Sequence, residues 1–239
     1  MDIEKTKAEI LSLIKSINRK DANIEGLVRY LTERSDFFTA PYTTKYLGSY
    51  EGGLAEHALA TYKALCRLVL DFAVTVTNAQ DVDEEGNDVF DEETGEPVYI
   101  TKSVTPKYSD DTLKIVALLH DLSKTNFYET YSRNVKDAAG NWQQVQSYKV
   151  REDDDRFIYG TAEQTSEFMV RTFIPLTLEE SMAILYHRGE LSVPNAQFNV
   201  ATVYKKYPLA LLLHMADLAD TFIRDSVEVV VENHEQAGE

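Results

Sequence analysis

Five histidines are spread along the 239 residues, and their neighbours differ. His57 follows Gly-Gly-Leu-Ala-Glu, His120 directly precedes Asp121, His187 follows Tyr186, His214 lies three residues before Asp217, and His234 is close to the end. The informative pair is His120-Asp121, two polar groups at the end of the nearly all-apolar run from Leu113 to Leu119. A carboxylate buried there without a partner would be expensive, and a cation offsets its charge directly. Imidazole and carboxylate together suit zinc, manganese, iron or magnesium-like ions. His57, near the start of a helical stripe, and Asp217, inside LLLHMADLAD, make the same argument. Such residues on separate helices can converge in the core of a bundle. Taken singly, each histidine is more simply a hydrogen-bonded core residue, and Asp217 a buried ion-pair partner. Other chemistries lack their residues: there is no glycine-rich phosphate loop and no Gly-x-Ser-x-Gly elbow. The single cysteine, Cys66, in an apolar run, permits neither an intramolecular disulfide nor a cysteine-based zinc cluster.

Helices must position these residues. Ile3, Ile10, Leu11, Leu13, Ile14 and Ile17 recur at helical steps and predict a first helix ending near Asn18 to Asp21. A second spans Ile24 to Arg34, with Leu27, Val28 and Leu31 as its stripe. The aromatic segment from Ser35 to Gly53 reads as an ordered loop whose Tyr42, Tyr46 and Tyr50 either stack on a nucleobase or form the loop's own core. Leu54 to Phe72 predicts a long helix with His57 in its first turn and Leu65, Leu68, Val69 and Phe72 on the buried face. Asp110 to Lys124, capped by Asp110 or Asp111, is apolar nearly all round and belongs in the middle of the protein. Tyr128 to Val150 predicts a two-stranded ribbon around the Asp137 to Asn141 turn. Three more helices are expected at about 160 to 173, 177 to 186 and 208 to 226, followed by a frayed tail.

Composition narrows the function. Lys plus Arg number 24 against 40 Asp plus Glu, a net charge of -16, which is the wrong sign for duplex or non-specific nucleic-acid binding. No uninterrupted apolar run suggests a leader or a membrane span, and cysteine usage fits a reducing compartment, so a cytoplasmic protein is expected. One domain of 1 to 239 accommodates the pattern, with an acidic surface insert at about 78 to 106. Within it, Asp81 to Glu96 holds nine acidic residues and no basic one. Asp81, Asp83, Glu85, Gly86 and Glu92 brush the calcium-loop spacing, but Asp88 stands where an apolar residue is expected, which favours a solvated hairpin.

The order His57, then LLHD at Leu118 to Asp121, then Asp217 resembles the HD-domain metal-dependent phosphohydrolase superfamily. The likeness extends through YEGGLAEHALATYKAL, IVALLHDLSKTNFY, NVKDAAGNWQQVQSYKV, AILYHRG and YPLALLLHMADLAD, roughly Phe37 to Phe222, as in a branch of small bacterial and phage HD proteins. The resemblance implies a mainly α-helical HD bundle with a core of about 37 to 224 and a short β-ribbon at about 128 to 150. It implies one divalent transition metal (Mn, Co, Zn, Fe or Ni) on His57, His120, Asp121 and Asp217, with Asp121 also orienting or deprotonating water. Such an ion lowers the pKa of water to about 7 and neutralises charge on phosphoryl oxygens. Relatives with two metals carry two further histidines. Here one position is His187, but the other falls in YGTAEQTS, where relatives often read Gly-His-Gly-Glu and this chain has Thr161, a poor ligand. A single tight metal is therefore expected, with His187 as a phosphate contact or a ligand to a second, weak Mg or Mn, and with Glu163 nearby.

Lys124, four residues after His120, is placed to reach a phosphate one helical turn along, or to be a helix-end lysine. Arg188 offers a second phosphate contact, and His214 lies near enough to approach the site. The expected function is hydrolysis of a phosphate ester or anhydride of a small nucleotide or deoxynucleotide, catalysed with Asp121 and Lys124. The competing readings are an HD-type nuclease or signalling-nucleotide phosphodiesterase, and a non-catalytic nucleotide- or protein-binding module. A homo-oligomer paired through VEVVV (227 to 231) is also open.

Overall fold

The computed structural model describes residues 2–45, 47–137, 140–152, 157–191 and 199–223. Tyr46, His234 and the VEVVV stretch lie outside them. The protein is mainly α-helical: eight α-helices and two separate two-stranded antiparallel sheets are present among the described residues.

Helix α1 (Ile3–Lys15) is capped by Asp2, whose carboxylate accepts from the Lys5 amide at 3.0 Å. It stops sooner than its periodicity suggests because other elements capture the next residues. The Asn18 amide is held by Asp111 at 3.0 Å, and Arg19 turns inward to Glu180 at 2.6 Å. After the cap at Asn23, α2 (Ile24–Arg29) continues as a π-helical turn over Tyr30–Arg34. The loop that follows is core, with Phe37, Phe38, Ala40 and Tyr42 buried. It closes onto α3 (Gly53–Phe72) through two glycines. Gly52 has φ +84°, and a Cβ on Gly53 would collide with the Gly48 carbonyl.

Leu65 and Val69 of α3 are buried as expected, but Phe72 is 70% exposed because the helix ends there and the chain leaves as a hairpin. That hairpin, β1 (Val74–Gln80) with β2 (Tyr99–Pro106), carries the acidic insert, and every residue of β2 faces solvent. At its tip the Asp83 carboxylate accepts from the Glu85 and Asn87 amides, each at 2.9 Å, so it serves a turn rather than a helix-flanked calcium loop.

Helix α4 (Asp110–Leu119) is capped by Ser109, not by Asp110 or Asp111: its hydroxyl accepts from the Thr112 amide at 3.2 Å. Leu113 to Leu119 are all buried, which puts α4 at the centre against α3, α6 (Leu178–Tyr186) and α1. The helix ends at Leu119 rather than Lys124. Asp121 takes φ −108° and ψ 27°, and Leu122–Lys124 form a single 3₁₀ turn. The expected ribbon is present as β3 (Tyr128–Lys136) and β4 (Trp142–Val150), antiparallel and in register from Tyr128 opposite Val150 to Lys136 opposite Trp142. Helices α5 (Ala162–Phe173) and α6 each begin with a reciprocal capping box, Thr161 with Gln164 and Thr177 with Glu180. The short α7 (Val200–Lys206), absent from the sequence reading, precedes α8 (Pro208–Ile223), which packs along α3 and α6. No helix among the described residues is long and apolar enough to cross a membrane.

Candidate metal centre

Three helix termini and one helix face meet in the core. His57 sits in the first turns of α3, and His120 and His187 cap the C-termini of α4 and α6. Asp121 follows His120, and Asp217 lies on α8. His57, His120 and His187 are each no more than 1% exposed, Asp121 6% and Asp217 7%.

The hydrogen bonds set the histidine tautomers. His57 Nδ1–H donates to Asp220 Oδ2 at 2.6 Å. His120 Nδ1–H donates to the Ala117 carbonyl at 2.8 Å, and His187 Nδ1–H to the Ile184 carbonyl at 2.7 Å. With each Nδ1 proton committed, every Nε2 is available as a ligand. His57 Nε2 lies 3.2 Å from His120 Nε2 and 3.2 Å from Asp217 Oδ1. Asp121 Oδ2 lies 3.5 Å from His120 Nε2 and 3.9 Å from His57 Nε2. Imidazole ligands at about 2.1 Å from one divalent ion place adjacent donor atoms about 3.0 to 3.4 Å apart and opposite ones about 4.2 Å apart. The observed separations fall within or close to that span. His57, His120 and Asp121 therefore form a group that could hold a metal ion, and Asp217 flanks it against His57. Asp121 turns its other oxygen, Oδ1, toward His187 Nε2 at 3.7 Å. Among the described residues the buried His187 Nε2 has no hydrogen-bond partner, and it faces the same cluster through Asp121.

The cluster's protonation follows from this geometry. Burial opposes charge on His57, yet hydrogen bonds with Asp217 and Asp220 carry its pKa above the ordinary value. Burial, together with the neighbouring His187 and His57, brings His120 down to about 4 against the pull of Asp121. Asp121 is buried too, but the Lys124 ammonium and His120 hold it well below the usual carboxylate range. Asp217 falls to about 2, because its hydrogen bond with His57 and the nearby imidazoles outweigh burial. The two Nε2 atoms 3.2 Å apart fit either a proton shared between the rings or an ion that both face.

Lys124 reaches the centre by a different route from the one its spacing suggested. With α4 ended, the 3₁₀ turn brings Nζ to 2.8 Å from Asp121 Oδ2, and 3.6 Å above the Tyr42 ring. Tyr42 stacks on His57 with ring centroids 3.7 Å apart, and its hydroxyl donates to Asp217 at 3.3 Å. Beside them opens a cavity of about 540 Å³ whose wall includes Tyr42, Ser123, Lys124, Phe127, Tyr128 and Arg188. Arg188 is held by Glu163, Nη1 to Oε1 at 3.1 Å. Glu163 is itself 3% exposed and acts on Arg188 rather than forming the wall. His187 is buried with its Nε2 toward Asp121 and is not part of the cavity wall. Thr161 is engaged in its helix cap, and His214 stands behind His187, 2.5 Å from its carbonyl.

Asp220 was not singled out from sequence, although its signal was there: in MADLAD it follows Asp217 by three, one turn along an apolar helix. Compared with models of known protein families, with curated proteins and with solved structures, the chain matches none.

Proposed function

We propose that this chain is a metal-dependent phosphohydrolase of the HD-domain kind, acting on a small nucleotide or deoxynucleotide. The observation that carries the reading is the convergence of three imidazole Nε2 atoms with Asp121 and Asp217, beside a cavity whose wall holds two cationic side chains, Lys124 and Arg188. A bound divalent transition metal supplies Lewis acidity, lowering the pKa of water and offsetting charge on phosphoryl oxygens. The protein's own groups do the rest. Lys124 and Arg188 bind the phosphate, and Glu163 holds Arg188 in place. Asp121, kept ionised by Lys124, orients the attacking water by accepting its hydrogen bond. Phe127 and Tyr128 present aromatic surface on which a base can rest. One tightly bound ion per chain is expected, since Thr161 is spent on a helix cap and a weaker Mg or Mn beside His187 would lack that ligand.

The test is to incubate wild type and Asp121→Asn with a pool of ribo- and deoxynucleotides and Mn, Co, Zn or Mg, following every species by mass spectrometry. Loss of a nucleotide with wild type alone supports the reading, and the product mass gives the number of phosphates removed. No change with any metal overturns it.

A further inference from the structure

Tyr42 lies outside the ligand group yet touches both that group and the Lys124 cation beside it. One face of its ring lies on His57, with an interplanar angle of 17°, and the Lys124 ammonium sits over the ring. Its hydroxyl meets Asp217 Oδ1 at 3.3 Å and Thr221 Oγ1 at 3.4 Å. The backbone is anchored at both ends: the Tyr42 amide donates to the Gly48 carbonyl at 2.8 Å, and the Tyr42 carbonyl accepts from the Tyr128 hydroxyl at 3.1 Å. A ring so fixed is a poor candidate for the mobile base-stacking role that an aromatic loop suggests, and a good one for holding its neighbours.

We infer that Tyr42 is a positioning residue that seats Lys124 against the candidate metal centre, so that phosphate affinity depends on the Tyr42 ring through Lys124. The inference rests on the phosphohydrolase reading for its purpose, but its geometry stands on contacts of this chain alone. A desolvated ammonium over an aromatic face is held by the ring quadrupole. Without the ring, the four-carbon stem of Lys124 regains rotamer freedom and keeps only Asp121 as a partner. The hydroxyl has a separate duty, since its hydrogen bond serves Asp217 and not Lys124.

The two duties separate by substitution. The full-length protein is loaded with Co²⁺, and the binding of inorganic phosphate is measured by calorimetry, with Co²⁺ affinity measured by chelator competition. Tyr42→Phe keeps the ring, so phosphate affinity should stay within about twofold of wild type while Co²⁺ affinity falls about three- to tenfold. Tyr42→Leu removes the ring, and phosphate affinity should fall about tenfold or more. Lys124→Met should lower phosphate affinity similarly, and adding Tyr42→Leu to it should cost phosphate binding nothing further, because the two residues act as one unit. Additive losses in the double variant, or a tenfold phosphate loss in Tyr42→Phe, would overturn the inference. Should Tyr42→Leu fail to fold by circular dichroism, Tyr42→Met takes its place in the same cycle. These binding readouts need no turnover: a protein that binds phosphate in this pattern yet hydrolyses no nucleotide refutes the enzyme reading and leaves the positioning role standing.

Discussion

Replacing Asp220 by alanine tests whether the core cluster is built as a metal centre or only packed as one. The His57 Nδ1–Asp220 Oδ2 bond is 2.6 Å long, and both side chains are 1% exposed. A hydrogen bond to a charged group in such a place contributes about 1.5 to 3 kcal/mol. Asp220→Ala leaves the Nδ1 proton without an acceptor and the ring free to adopt either tautomer, so Nε2 is no longer committed as a lone pair. At about 1.4 kcal/mol per tenfold, the loss corresponds to a drop of about 10- to 100-fold in metal affinity, the range found for outer partners of ligating histidines. Asp220→Asn keeps an oxygen acceptor but loses the charge, and should fall between wild type and Asp220→Ala. Competition with a chromophoric chelator for Co²⁺ or Zn²⁺ measures the constants, and circular dichroism reports whether the helices persist. If Asp220→Ala binds metal within about twofold of wild type while remaining helical, the tautomer argument is wrong. If the asparagine and alanine variants fall equally, Asp220 acts as a charge and not as an orienting acceptor.

Three further outcomes follow from other parts of the fold. Gly53→Ala drives a Cβ into the Gly48 carbonyl that anchors Tyr42, so it should cost about 1 to 3 kcal/mol of stability in denaturant titration and weaken metal binding as well. Leu118→Ala, in the fully buried centre of α4, should cost about 2 to 5 kcal/mol, read as a lower Tm with no new intermediate. Glu180 gives the pH dependence. Burial opposes its charge, but the hydrogen bond from Arg19 holds its pKa below the ordinary 4.5. A carboxylate with a lowered folded pKa contributes stability that is complete above the unfolded value and lost as pH falls through the folded one. Wild type should thus exceed Glu180→Gln by about 2 kcal/mol at pH 7, with the gap narrowing below pH 4.5. A gap that stays constant down to pH 3 would show that Glu180 stabilises through something other than its charge.

Periodicity carried most of the helices, because their apolar stripes face a single core, whereas the largely exposed β-ribbon was legible from its strand-forming residues and its turn. Periodicity failed where tertiary partners outbid local pattern. The stripe of α1 runs on through Ile17, but the helix breaks earlier since Asp111 and Glu180 claim the Asn18 amide and the Arg19 guanidinium. The apolar run of α4 said nothing of its end at Leu119, and so Lys124 was placed a full helical turn from His120 when it reaches back to Asp121 instead. His57, His120, Asp121 and Asp217 were legible because polar residues interrupt apolar stripes there. Tyr42 was visible as an aromatic residue but not as a clamp on His57, since a loop's sequence does not encode which helix it folds against.

What the sequence conceals most is a repeated device. ALLHD at the end of α4 and ILYHR at the end of α6 share an apolar run closed by a histidine, and the structure treats them alike. Each histidine is the C-cap residue, and each turns its Nδ1 proton back to the carbonyl three residues earlier, Ala117 or Ile184. That bond satisfies one of the carbonyls a helix leaves bare at its C-terminus and at the same stroke aims Nε2 along the axis into the core. The two rings meet edge to face with centroids 4.8 Å apart. A packed histidine needs only one of its nitrogens satisfied by its own helix if the other has a partner beyond it. Asp121 stands between the two, with Oδ2 toward His120 and Oδ1 toward His187. Because both Nδ1 protons are spent on the helix ends, both Nε2 atoms are left facing Asp121, and with His57 this is a group that could hold a metal ion.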